Sequence, residues 1–246
     1  MYICIIIKDV IMQITKENTV AEVVSKNVGS DQVFSKYKID FCCGGYMTLE
    51  TACKESGVEF NVLKFEIETI KNIIAGNSDL NTLDLSSLIK YTSQNHHKYF
   101  DENIAQLLPL AAKVAQVHAI DHPEVVEINM LFSKATSEIL KQISLEENNL
   151  FPFIKKINGK DRSFSSNEET DIEIFKQSIK NIESAFTIAA DIFKKVAISS
   201  SNYIVPEGAC NSYKFLYEKL EEFEHELHRY IHFEKNILFP KLLNIN

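Results

Sequence analysis

Two stretches of the chain repeat one arrangement of side chains that could do chemistry. Gln142-Ile143-Ser144-Leu145-Glu146-Glu147-Asn148-Asn149-Leu150-Phe151-Pro152 lies midway, and Tyr230-Ile231-His232-Phe233-Glu234-Lys235-Asn236-Ile237-Leu238-Phe239-Pro240 lies near the end. In each, a Glu is followed five residues later by Phe and six later by Pro. A polar side chain stands four residues before each Glu, so helical spacing sets Gln142 beside Glu146 and Tyr230 beside Glu234. Both pairs sit in apolar stripes: Ala135, Ile139 and Leu150 around the first, Phe223, Leu227 and Leu238 around the second. A carboxylate on a buried stripe needs a partner, because an isolated buried charge is very costly. Two such helices, facing each other, gather carboxylates inside a bundle, which is how helical bundles build metal sites.

The histidines divide by position. His97 shares a face with Phe100, Ile104 and Leu108 and is expected to point inward, as a ligand or as a core histidine bonded to a neighbour. His96 lies about 100° further round the helix and is the weaker candidate. His225, His228 and His232 form a stripe of their own, expected to be a solvated polar face turned away from Glu234. His118 and His122 fall at a helix end and in a loop. The cysteines divide too. Adjacent Cys42 and Cys43 are poor disulfide partners, since consecutive α-carbons lie about 3.8 Å apart. They read as free thiols, soft metal ligands, partners of thiols on another molecule, or two small hydrophobes at a tight turn. Cys4, Cys53 and Cys210 have no local companion and read as structural.

The elements that must position these groups are helices. Only seven Gly and five Pro in 246 residues favour long helices over a turn-rich β fold. A hydrophobic share of 45% fits a globular chain, and a net charge of −8 argues against nucleic acid as a partner. No apolar run approaches a membrane span, and five unpatterned cysteines point to a reducing, cytoplasmic setting. Residues 1–17 read as an N-terminal extension, with Met12 an alternative start. From Asn18 to about Gly76 the chain reads as short helices, with Gly44-Gly45 a turn that supplies unusual dihedrals and Gly57 a helix stop. Residues 77–85 form a linker. Residues 86–246 hold four long helices: about 86–118 with a kink at Pro109, a second ending near Ile157, about 168–196, and about 209–238 with Pro240 beyond its end. Short loops between long amphipathic helices predict an all-α, up-down-up-down four-helix bundle.

Tyr37-Lys38-Ile39-Asp40-Phe41-Cys42-Cys43-Gly44-Gly45 resembles the signature of the N-terminal domain of the iron–sulfur cluster repair proteins, the repair-of-iron-centres family also called YtfE or ScdA proteins. Val117-His118-Ala119-Ile120-Asp121-His122-Pro123-Glu124, Pro206-Glu207-Gly208-Ala209-Cys210-Asn211-Ser212-Tyr213 and Glu234-Lys235-Asn236-Ile237-Leu238-Phe239-Pro240 are similar to further motifs of that family, in its order. The resemblance implies a hemerythrin-like bundle, non-haem iron as cofactor, damaged iron–sulfur proteins as partners, a possible homo-oligomer, and a thiol role for Cys42 and Cys43. It implies an iron-binding repair or donor protein in recovery from oxidative or nitrosative damage, rather than a classical enzyme. The family holds two irons with four histidines and two bridging glutamates. Carried over, His97 takes the first helix's histidine position, and Glu146 and Glu234 take the bridging positions. The remaining histidine positions hold Gln142, Phe186 and Tyr230. A neutral amide is a weak ligand and Phe none, so one of the two iron sites is expected to be lost. The other keeps His97, Glu146, Glu234 and Tyr230, and a tyrosinate can bind ferric iron. One iron or none is therefore expected. The alternative is a metal-free or single-metal scaffold or sensor with thiol chemistry at Cys42 and Cys43.

Overall fold

The computed structural model describes residues 13–27, 29–42, 44–74, 80–158 and 168–243. The expectations for Cys4, Met12 and Cys43 fall on residues outside that set. Among the described residues the regular elements are all helices, with one isolated bridge between Thr19 and Thr48. The chain divides into two compact units, Met1–Asn81 and Thr82–Asn246.

In the first unit, α1 (Val20–Lys26), α2 (Ser30–Lys36), α3 (Leu49–Ser56) and α4 (Phe60–Ile74) pack around Val20, Val23, Val33, Phe34, Leu49, Ala52, Leu63 and Ile67. Local signals set the ends. Thr19 and Glu22 form a reciprocal capping box on α1, Thr48 caps α3, and Gly57 ends α3 at φ 73°. Ile14 is buried, so packing begins inside the stretch expected to be an extension. Gly44 and Gly45 need a different explanation from the one the sequence suggested, because neither has positive φ. Their smallness is what matters. A Cβ on Gly44 would lie 2.9 Å from the Asp40 carbonyl oxygen, and one on Gly45 would lie 2.9 Å from the Ala21 Cβ. The cysteine turn thus lies directly against α1, where Ala21 N–H donates to the Gly45 carbonyl over 2.9 Å.

A single-turn 3₁₀ segment (Leu80–Thr82) spans the boundary, and in the second unit α5 (Leu85–Tyr91) starts on an Asp84 cap. A π turn (Thr92–His97) joins it to α6 (Lys98–His118). Then come α7 (Glu124–Leu145), a π turn (Glu146–Leu150) and α8 (Phe151–Asn158). After these come α9 (Glu168–Ser199), α10 (Asn211–Phe233), a π turn (Glu234–Leu238) and α11 (Phe239–Leu243). Around the ring α6 packs on α7, α7 on α9, α9 on α10 and α10 on α6, the neighbour order that an up-down-up-down bundle requires. Phe223 anchors the middle, its ring 5.1–5.4 Å from those of Phe100, Phe132 and Phe193. Leu107 is buried and Leu108 only half-buried, because 3.6-residue periodicity drifts off a strict i+4 ladder.

Pro109 lies within α6, as expected, whereas the fourth helix continues through Pro240 to Leu243 instead of ending before it. The reason is the π turn ahead of each Phe-Pro pair. Phe151 N–H reaches back five residues to the Glu146 carbonyl, and Phe239 N–H does the same to Glu234. The hydrogen-bond ladder changes register just where the following proline has no N–H to give. An asparagine supports every one of these turns: Asn95, Asn148 and Asn236 donate Nδ2 to the carbonyls of Tyr91, Ser144 and His232. The repeated Glu-x-Asn-x-x-Phe-Pro pattern is therefore a π-turn motif that also aims its glutamate into the core.

Candidate metal centre

The three π turns converge on one buried cluster. His97 ends the first, Glu146 opens the second and Glu234 opens the third. Glu146 and Glu234 are fully buried, Tyr230 likewise, and Gln142 and His97 nearly so. The Glu146 carboxylate is the hub. Its Oε2 accepts from Tyr230 OH over 2.7 Å and lies 2.9 Å from His97 Nε2. Its Oε1 accepts from Gln142 Nε2 over 2.8 Å. His97 Nε2 is also 3.0 Å from Tyr230 OH, which closes a triangle of three donor atoms. On the other side of the ring, His97 Nδ1 is 2.8 Å from Glu147 Oε1, which also accepts from Ser93 Oγ over 2.6 Å. Phe151 stacks on His97 at 5.6 Å, and Phe186 sets its ring edge-on to Tyr230 at 5.0 Å.

The charges follow from these contacts. Burial by itself would push the His97 imidazole down, but hydrogen bonds and attraction from Glu146 and Glu147 outweigh it and hold the group above its ordinary value. Glu147 pays for burial in the same way, yet Ser93 and His97 bring it below the usual carboxylate range. Burial, with Glu146 nearby, drives Glu234 well above that range, only partly offset by the Thr92 hydroxyl. Burial and the charges of Glu146 and Glu234 raise Tyr230 far above an ordinary phenol. His97, Glu234 and Tyr230 therefore each hold a proton more tightly than the free side chain does.

Among the described residues three buried side-chain atoms stay unmatched, two in this cluster and His96 Nε2 beside it. Among the described residues, Glu234 Oε2 and Gln142 Oε1 have no hydrogen-bond partner, although both are buried. Thr92 Oγ1 lies 3.4 Å from the other oxygen of Glu234. Protonation removes the charge on Glu234 without giving its Oε2 a partner.

Other expectations meet mixed outcomes. His96 is buried but belongs to a different group: its Nδ1 is 2.7 Å from Glu226 Oε1, and its ring stacks on Tyr230 at 5.2 Å. The solvated histidine stripe is only partly so. His225 is exposed and His228 half-buried, but His232 is 4% exposed. Its Nδ1 is 3.1 Å from Asn236 Nδ2. Cys210 is not a buried structural thiol. It is exposed, and its Sγ lies 3.2 Å from His118 Nε2 across two helix ends. Cys42 is buried, with Sγ and backbone N–H both on Asp40 Oδ1, at 3.2 and 3.1 Å. Sequence reasoning missed Thr92, Ser93 and Glu147 as partners of the cluster. The asparagine two residues after each paired Glu was the available signal for the π turns that bring them in.

Comparison with known proteins matches this architecture. Residues 91–242, more than half the chain, match the hemerythrin HHE cation-binding domain. Residues 16–71 match ScdA_N, a domain of unknown function (DUF542). The chain is 31% identical over 228 residues to the iron–sulfur cluster repair protein ScdA of Staphylococcus haemolyticus, covering 93% of this chain and 99% of that one. The chain belongs to the ScdA family of iron–sulfur cluster repair proteins. Other ScdA-family relatives include the iron–sulfur cluster repair protein YtfE of Yersinia pseudotuberculosis, 28% identical over 86% of this chain and 90% of that one. A probable iron–sulfur cluster repair protein of Haemophilus influenzae is 27% identical over 88% and 92%.

The ScdA-family bundle is a cation-binding domain, and the donor set here bears on how many ions it fits. Among the described residues, no three His, Cys, Asp or Glu side chains converge as a metal-binding group. Phe186 packs its ring against Tyr230, and Gln142 is tied to Glu146. The residues present do not fit a two-iron centre.

Proposed function

We propose that this protein acts in the restoration of damaged iron–sulfur clusters, with an iron-handling bundle and a thiol-bearing N-terminal unit. The observation that carries this reading is the likeness to a repair protein along 99% of that relative's length, through both units. His97, Glu146, Tyr230 and Glu234 are the residues that would hold iron, one ion rather than two. When bound there, iron supplies a Lewis-acidic, redox-active centre. The chain's own residues do the rest. Phe151 and Phe186 exclude water, Gln142 and Thr92 orient the two carboxylates, and Glu147 fixes the His97 ring through Nδ1.

The thiols of Cys42 and Cys43 engage the damaged recipient or its released metal. Support for Cys42 comes from Asp40, which accepts from the thiol and fixes the turn. The recipients are iron–sulfur proteins. Among the described residues no helix is long and apolar enough to cross a membrane. Among the described residues Cys42, Cys53 and Cys210 form no disulfide, which accords with a reducing compartment, and we place the protein in the cytoplasm.

The test is recovery of a nitric-oxide-damaged iron–sulfur enzyme in a strain lacking its own repair protein. Wild-type chain restores enzyme activity, and the Cys42→Ser/Cys43→Ser protein does not. Equal recovery by the double variant would remove the thiols from the reading, and no recovery by wild type would remove the repair function.

A further inference from the structure

We infer that Cys210 and His118 form a reactive thiol–imidazole pair that takes up a low-molecular-weight thiol as a reversible mixed disulfide. The pair goes beyond the proposed function, which uses the thiols of the first unit. It is also separate from the core cluster, since His118 lies at the far end of α6 from His97, about 30 Å along the helix.

His118 closes α6 and Cys210 directly precedes α10. Cys210 Sγ lies 3.2 Å from His118 Nε2, between helix ends that are 92 residues apart in sequence. A nucleophile within hydrogen-bond reach of a base is the arrangement that activates a cysteine. The imidazole is itself held in place. Its ring stands edge-on to Tyr213 at 5.4 Å. Tyr213 is fully buried, with its hydroxyl 3.1 Å from Glu124 Oε1 and 3.0 Å from Tyr217 OH. His122 packs on the same tyrosine ring at 5.4 Å, but its Nδ1 faces Glu124 Oε1 at 3.2 Å and not the sulfur.

Access singles out this thiol. Cys210 is exposed and His118 half-buried, so a reagent reaches the sulfur while the base stays fixed. Cys42 and Cys53 are buried, and burial pushes the Cys53 thiol up. A cavity adjoins Cys210. Lys214 N–H donates to the Cys210 carbonyl over 3.1 Å. Lys214 also lines a cavity of about 590 Å³ with Tyr203, Val205, Glu207, Gly208 and Glu218, a volume within the range of small-molecule sites. Lys214 offers an ammonium to a carboxylate, and Glu207 and Glu218 offer carboxylates to an ammonium. A small peptide thiol such as glutathione carries both kinds of group beside its sulfur.

The co-reactant is a low-molecular-weight disulfide, RSSR. The Cys210 S–H proton passes to His118 Nε2, and the sulfur attacks one sulfur of RSSR. A new S–S bond forms to Cys210. The old S–S bond breaks, and its electron pair leaves on the second sulfur, which takes the proton from His118 and departs as RSH. Cys210 is oxidised, the departing half of the disulfide is reduced, and no other oxidant enters. Excess RSH runs the step backwards, so the modification is lost when reducing thiol returns.

The experiment treats the full chain with glutathione disulfide at neutral pH and follows the Cys210 peptide by mass spectrometry. The expected product is glutathione on Cys210, removed by dithiothreitol and formed about tenfold faster than on the same peptide excised from the chain. His118→Gln should slow the reaction about tenfold or more. His122→Gln should react at the wild-type rate, and circular dichroism checks that both variants fold. Lys214→Ala should slow glutathione disulfide about threefold and leave uncharged hydroxyethyl disulfide unaffected. A Cys210 that reacts no faster than the excised peptide, or a His118→Gln protein that reacts at the wild-type rate, would overturn the pair. Equal slowing of both disulfides by Lys214→Ala, or of neither, would overturn the cavity as the seat of the incoming thiol.

Discussion

The Tyr230 hydroxyl donates to Glu146 Oε2 over 2.7 Å, joining two fully buried side chains that lie 84 residues apart in sequence. Tyr230→Phe removes that donor and leaves a buried carboxylate oxygen with one partner fewer. The expected loss is about 1–3 kcal/mol of unfolding free energy for the metal-free protein. Urea denaturation in the presence of a chelator measures it. An unchanged midpoint would show that the network contributes nothing to holding the bundle.

Glu224 gives a pH prediction outside the core. Burial pushes its carboxyl up to about 7, although the Tyr203 hydroxyl donates to it over 2.8 Å and works in the opposite direction. The unfolded chain releases this proton near 4.5 and the folded chain near 7, so between those values the folded state binds more protons. Stability from this group is therefore fully present below about 4.5, falls as pH rises, and is gone above about 7. Glu224→Gln should raise stability at pH 8 by on the order of 2–3 kcal/mol and change little at pH 4.5. Thermal melts at the two pH values decide. Equal effects at both would refute the assignment.

Gly45→Ala tests the cysteine turn. The added Cβ would meet Ala21 Cβ at 2.9 Å and the Phe41 carbonyl oxygen at 3.0 Å. Overpacking of this kind costs about 1–3 kcal/mol, and it acts on the turn that holds Cys42. Ala21→Gly in the same chain should recover part of the loss. Hydrogen exchange of the α1 amides reads it locally, and protection equal to wild type would count against close approach as the reason for glycine.

Asn236→Ala tests the π turn that opens with Glu234. The substitution removes the donor to the His232 carbonyl, at a cost of about 1 kcal/mol. Asn148→Ala should cost a similar amount, since its Nδ2 makes the same bond to Ser144. Chemical denaturation of both variants checks it, and the reading fails if neither moves.

Thiol labelling of the native protein should modify Cys210 before Cys42 or Cys53, because Cys210 is exposed and the other two are buried. Peptide mapping after a short pulse of iodoacetamide gives the order. Labelling of Cys53 ahead of Cys210 would contradict the packing of the first unit.

The sequence by itself determined the elements and the identity of the core donors. Apolar spacing fixed four long helices because burial of one face is a local, additive consequence of a 3.6-residue period. The same spacing put Glu146, Gln142, Glu234, Tyr230 and His97 on inward faces, where they are found. Gly57 marked a helix end for an equally local reason. What only the tertiary structure decided is which inward groups meet, and how. Straight-helix counting records neither the π turns nor the burial of His232 and the pairing of Glu147, Thr92 and Ser93 with the cluster. Partners such as His118 with Cys210, or His96 with Glu226, come from different helices, so no spacing within one helix records them. The state of the site was decided there as well. Whether Glu146 and Tyr230 face a cation or each other depends on distances between helices, and those are set by the packing of the whole bundle.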